Sequence, residues 1–191
     1  MFDPFRWSPG LRRFLNWAVI VLSVVFCLLV LPMRLPGMEL LGVVPNWMLI
    51  WVVVWSVNRT VWEGAIAGTV LGLIQDGMTT HDPTNVISLA LVGILTARIR
   101  KQRYIQEDFI SIALIVFGMA VLAETAIALQ FSLGSLQQRN VNYPSLSEIW
   151  IFHQQIALCS AILSSLWAPV LYYPLKRWWR MIETVEQAQT G

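Results

Sequence analysis

Residues 45–76 read PNWMLIWVVVWSVNRTVWEGAIAGTVLGLIQD. Two apolar segments, Val43–Val57 and Val61–Gln75, are joined by Asn58-Arg59-Thr60 alone. So short a link makes them an antiparallel helical hairpin. Each is shorter than the ~20 residues that cross a bilayer, which predicts helix ends lying in the interface. The rest of the chain has the same character. Of its 191 residues, 57% are hydrophobic and 13% charged, against about 25% charged in soluble domains. The mean hydropathy is +0.62. An ordinary water-soluble enzyme is excluded.

Working outward from the hairpin, four more apolar stretches appear: Phe14–Leu31 before it, and Asn85–Ile99, Phe109–Phe131 and Ile149–Tyr172 after it. The expected class is an all-α, polytopic membrane protein of six transmembrane helices. It forms a single integral membrane domain over residues 1–191, with a basic N-terminal tail at 1–13 and a C-terminal tail at 175–191. No small-residue cleavage site follows the first stretch, so it reads as a retained helix rather than a signal peptide. With the N-terminus cytoplasmic, 11 of the 13 Lys and Arg residues fall inside and only Arg34 and Arg139 outside. The positive-inside rule then places both termini in the cytoplasm, with the protein in the plasma membrane. Trp7, Trp17, Trp62, Trp178 and Trp179 would mark the inner boundary, and Trp47 and Trp150 the outer one. Asn58-Arg59-Thr60 also fits the glycosylation sequon, but this topology puts it on the cytoplasmic side.

Two sets of residues stand out as candidate sites. Gly64, Gly68 and Gly72 repeat at i+4, a spacing that lets membrane helices approach closely. They form either a packing face within the bundle or a docking face for a partner. Trp47, Trp51 and Trp55 share one face of the preceding helix and suit lipid or a partner helix. The second set is polar. Glu124 lies deep in the fifth stretch, where an ionised carboxylate costs on the order of 2.5–3.5 kcal/mol, and Ala120 and Ala128 on the same face leave it unshielded from a neighbouring helix. Glu124 is therefore expected to point into the bundle. The sixth stretch supplies His153 and Gln154, the latter heading a small or polar stripe through Ala157, Ala161, Ser164 and Ala168. Gln75, Asp76, Glu124, His153 and Gln154 are expected to gather in the outer half of the bundle, either as a polar cavity or groove opening outward or as a set of satisfied structural hydrogen bonds, with Asp76 alternatively marking a solvated helix end. Glu63, beside Trp62 and a turn from the inner boundary, reads as interfacial, and the polar connection Ser132–Glu148 as either the segment suited to an extracytoplasmic contact or a spacer.

Several chemistries find no support. The net charge of +2 and clustered basic residues give no nucleic-acid stripe. Cys27 and Cys159 lie in apolar runs and read as small hydrophobes. His81 and Asp82 stand alone, so no metal is expected. His153 has only distant serines on its own helix, and there is no phosphate-binding glycine loop. No catalytic residue and no cofactor is assigned.

Pro45-Asn46 opening an apolar helix, Gly64-x-x-x-Gly68-x-x-x-Gly72-Leu73-Ile74-Gln75-Asp76, a short loop and the helix Val86–Ile99 together resemble the bacterial rod shape-determining MreD family. The similarity is strongest over residues 45–100, and the flanking helices agree in number and spacing. The loop Gly77–Thr84 lacks the glycine the family often carries before its next helix. The resemblance implies a non-enzymatic membrane scaffold of the cell-elongation complex. Its implied partners are the single-span protein MreC, together with MreB, RodA, a penicillin-binding protein and membrane lipid, in the service of cell shape and peptidoglycan synthesis. It also implies an architecture like the substrate-binding subunits of energy-coupling-factor transporters, which makes a vitamin-like small-molecule binder the rival expectation.

Overall fold

A computed structural model describes residues 9–33, 38–79, 83–100, 109–137 and 146–190. Six helices account for nearly all of them: α1 (Pro9–Val30), α2 (Trp47–Ser56), α3 (Val61–Met78), α4 (Asn85–Arg100), α5 (Phe109–Gln137) and α6 (Leu146–Thr190). Three contain windows long and apolar enough to cross a membrane: Gly10–Val30, Phe109–Gly134 and Trp150–Ile182. Between α1 and α2, Leu40 and Val43 exchange backbone hydrogen bonds of 2.9 and 3.0 Å across Leu41-Gly42. Both residues of that turn have positive φ, 53° and 80°, which glycine adopts freely and leucine only under constraint.

The centre of the fold is the shortest helix. Ten residues rise about 15 Å, half the hydrocarbon thickness of a bilayer, and α2 touches all five other helices. It is apolar on every side, as a helix surrounded by protein must be, and Met48, Ile50, Val52, Val53 and Val54 are fully buried. Asn46 caps it, its Oδ1 accepting from the Leu49 N–H at 3.0 Å. The Asn46 N–H in turn donates to Ser164 Oγ on α6 at 3.0 Å. This pins one end of the core helix to the small-residue stripe of α6, where Ala161, Ser164 and Ala168 are fully buried.

Around α2 lie two antiparallel hairpins, α3–α4 and α5–α6, and the less attached α1. Thr60 and Glu63 form a capping box at the start of α3: the Thr60 N–H donates to Glu63 Oε2 at 2.8 Å, and the Glu63 N–H to Thr60 Oγ1 at 3.4 Å. Glu63 is thus a helix cap at its solvated end. By contrast, only 11% of the apolar window of α1 is buried. A hydrogen bond from Trp51 Nε1 to Ser23 Oγ at 2.8 Å ties it to the core helix.

Several boundaries differ from those expected: α1 begins at Pro9, so part of the tail expected at 1–13 is helix, α2 begins at Trp47 rather than Val43, and α3 runs on to Met78. Helix α5 continues six residues past Phe131, to Gln137. Helix α6 starts at Leu146 and runs unbroken to Thr190, so most of the tail expected at 175–191 is helix. Hydropathy marks where a segment leaves the apolar phase, whereas helical hydrogen bonding continues into polar sequence. Pro169 and Pro174 lie inside α6, a placement that neighbouring helices make tolerable in membrane bundles. Of the connection Ser132–Glu148, residues 138–145 lie outside the described residues, as do His81 and Asp82.

Candidate functional site

The five polar residues expected to gather do not form one cluster. Asp76 is used locally, at the turn between α3 and α4. Its carboxylate accepts from Thr84 Oγ1, from the Asn85 N–H at 2.8 Å and from Asn85 Nδ2 at 2.8 Å. An anionic acceptor at the first turn of α4 satisfies backbone donors and favours the helix dipole. Asp76 is therefore a cap for the following helix, and neither it nor its neighbour Gln75 lines the cavity that holds the other three.

That cavity, about 430 Å³, opens between α5 and α6. Glu124 and His153 form its floor, their side chains 13% and 12% exposed, with Glu124 Oε2 3.7 Å from His153 Nδ1. This separation exceeds a hydrogen bond, and the buried Nδ1 has no hydrogen-bond partner among the described residues. Ala128 and Ala157 complete the floor, while Thr125, Trp150, Gln154 and Leu158 form an exposed rim. The rings of Phe131 and Phe152 pack on the imidazole, with centroids 5.3 and 5.9 Å away. Ala128 and Ala157 are too small to close the gap, which is why two tightly packed helices still leave a pocket. Sequence reading found Glu124, His153 and Gln154. Thr125 carries no signal of its own, and Trp150, expected as a marker of the outer boundary, stands at the pocket rim only once the two helices are in register.

The glycines face inward. A methyl group at Gly68 would overlap the Leu89 carbonyl oxygen and lie 2.8 Å from Ala90 Cα. One at Gly64 would lie 2.5 Å from the Gly93 oxygen, and one at Gly72 2.5 Å from Val86 Cα. All three sit against α4, so the stripe serves packing inside the chain. Gly93 is its counterpart, with no space for a methyl group beside Gly64. It escaped notice because a single glycine in α4 has no repeat to draw attention.

Trp47 turns inward, while Trp51 and Trp55 border a concavity between α1, α2 and α3. Trp47 and Trp51 are each 4% exposed, so Trp47 stands in the core against Trp167, at 5.7 Å between centroids, and not in an interfacial belt. Trp51 stacks on Trp55 at 5.4 Å; Trp55 meets the edge of Trp179 at 5.6 Å and carries the Arg59 guanidinium 4.4 Å above its ring. Neither lipid nor a partner reaches the face of Trp47, because α6 occupies it.

A second concavity, about 770 Å³, runs between α1, α2 and α3. Its walls are apolar, with Val21 and Val25 of α1 and Ile66 and Val70 of α3 exposed on its flanks, and Arg59, Glu63 and Asn16 at one end. No group of three potential metal ligands occurs among the described residues.

Six helices, three of them long and apolar enough to cross a membrane, and a largely apolar exterior define an integral membrane protein. The chain matches the family profile of the rod shape-determining protein MreD over residues 11–182, nearly its whole length, and so belongs to the MreD family. No curated protein matches it.

Proposed function

We propose that this protein is the multi-pass, non-enzymatic scaffold subunit of the cell-elongation complex in the bacterial inner membrane, with both termini cytoplasmic. In this reading it binds MreC and through it couples MreB filaments to RodA and a penicillin-binding protein during peptidoglycan synthesis. The observation that carries it is the family match over residues 11–182. The distribution of basic residues supports the orientation, with Arg59 and the Lys176, Arg177 and Arg180 group on the cytoplasmic side.

The groove between α1 and α3 is the face proposed for the single span of MreC. Helix association in lipid rests on packing rather than on hydrophobicity. A groove walled by exposed aliphatic side chains, beside a first helix held by few contacts, offers that packing. The polar group of Arg59, Glu63 and Asn16 would set the depth of the incoming helix at the cytoplasmic boundary.

Purification of the tagged protein in mild detergent tests the proposal. MreC is expected to co-purify, and to be lost when Val70→Trp fills the groove. Absence of MreC from wild-type preparations, with a vitamin-sized ligand retained by the purified chain, would replace the scaffold by the small-molecule binder.

A further inference from the structure

We propose that the pocket between α5 and α6 binds the primary ammonium head of a membrane lipid, of the phosphatidylethanolamine type. The inference is independent of which protein occupies the α1–α3 groove.

Charge decides the ligand class. The lining offers acceptors: the Glu124 carboxylate, the His153 imidazole, the Gln154 amide oxygen and the Thr125 hydroxyl, and it contains no lysine or arginine. Thr125 Oγ1 already donates to the Val121 carbonyl at 2.7 Å, so its remaining capacity is as an acceptor. An anionic head would meet Glu124 with no lysine or arginine to offset the repulsion. A primary ammonium brings three donors, and a quaternary one brings none. The Trp150 ring at the rim adds a face to which a cation is attracted.

Position decides the source. The pocket opens sideways through Thr125, Trp150, Gln154 and Leu158, on a surface where Leu122, Leu129, Ile151 and Ile162 are also exposed. His153 follows Trp150 by three residues, about 4.5 Å along the helix. An aromatic residue at the head-group level thus stands less than one turn above the acceptors, within reach of a lipid head but not of a soluble ligand diffusing through the bundle. The volume of about 430 Å³ falls within the ~300–1,000 Å³ of small-molecule sites, and a helix about 10 Å across does not enter it. Glu124 and His153, 3.7 Å apart without a shared hydrogen bond, are left with unmet capacity that an ammonium between them would fill.

Native mass spectrometry of the purified full-length protein tests the assignment, using an equimolar mixture of phosphatidylethanolamine, phosphatidylcholine and phosphatidylglycerol with identical acyl chains. The ethanolamine lipid is expected to be retained about tenfold over the other two, the effect of one charge-assisted hydrogen-bond set. Glu124→Gln should bring that ratio close to one, with phosphatidylglycerol adducts rising as the repulsion is removed and thermal unfolding unchanged. The milder Thr125→Val, which removes only a rim acceptor, should reduce it part of the way. Equal retention of the three lipids by the wild type overturns the proposal, and so does a preference that survives Glu124→Gln with the fold intact. Full displacement by an equal concentration of water-soluble glycerophosphoethanolamine would assign the pocket to a free amine and overturn the lipid. A co-purified protein whose loss with Glu124→Gln is what admits the ethanolamine lipid would assign it to a partner side chain instead.

Discussion

The α3–α4 and α5–α6 hairpins use helices of similar apolar character and end in opposite states. In the first, Gly64, Gly68 and Gly72 bring backbone against backbone at Gly93, Leu89 and Val86. In the second, Ala128 and Ala157 meet around Glu124 and His153 and leave an open pocket. Hydrophobicity does not distinguish them, since lipid tails solvate either surface equally well. What differs is whether the crossing carries no side chain at all or a polar one flanked by small ones. The closed hairpin is a structural joint; the open one has room for chemistry.

Substitutions should separate the two in a graded way. The largest effect is expected at Gly68→Ala. Its added methyl group meets backbone, which cannot rotate away, so the cost should reach or exceed the ~1–3 kcal/mol typical of overpacking. Denaturant unfolding in detergent would measure it, and Gly93→Ala should match it. A neutral Gly68→Ala would mean that α3 and α4 do not meet at their backbones. Next comes Asp76→Ala, which strips the cap from α4 and should lower stability by about 1–2 kcal/mol, measured as a shifted unfolding midpoint. Ser23→Ala removes the hydrogen bond from Trp51 to α1 and should cost about 0.6 kcal/mol, the average for such bonds in membrane bundles. Glu124→Gln should change stability by no more than ~0.5 kcal/mol, because it removes a carboxylate that lacks a good hydrogen bond within the protein. A loss as large as that at Gly68 would make the second hairpin as structural as the first.

Much of this arrangement is legible in the chain. The three-residue link Asn58-Arg59-Thr60 predicts the α2–α3 reversal, and the glycine repeat predicts a close helix approach. The Thr60-x-x-Glu63 pattern is a capping-box signature, although its hydrophobic surroundings draw the eye to membrane depth instead. What could not be read was which partner each face meets. Asp76 and Glu124 look alike in sequence, as acids in apolar helices, yet one caps the helix that follows nine residues later and the other faces a helix some thirty residues away. Trp47 and Trp150 both look like belt residues. One is buried against Trp167 while the other stands at a pocket rim, because α6 happens to cover the first.

The sequence alone determines that this is an all-helical membrane protein, where the apolar part of each helix falls, and which residues are too small or too polar to face lipid. Local hydrogen bonding and transfer free energy fix those properties residue by residue. The tertiary structure decides that the shortest helix is the core and the first helix its loosest neighbour, and that Asp76 serves as a cap while Glu124, His153 and Gln154 line a pocket. In a solvent as apolar as the side chains themselves, composition cannot say which surface turns inward. That is settled by the fit of one helix against another.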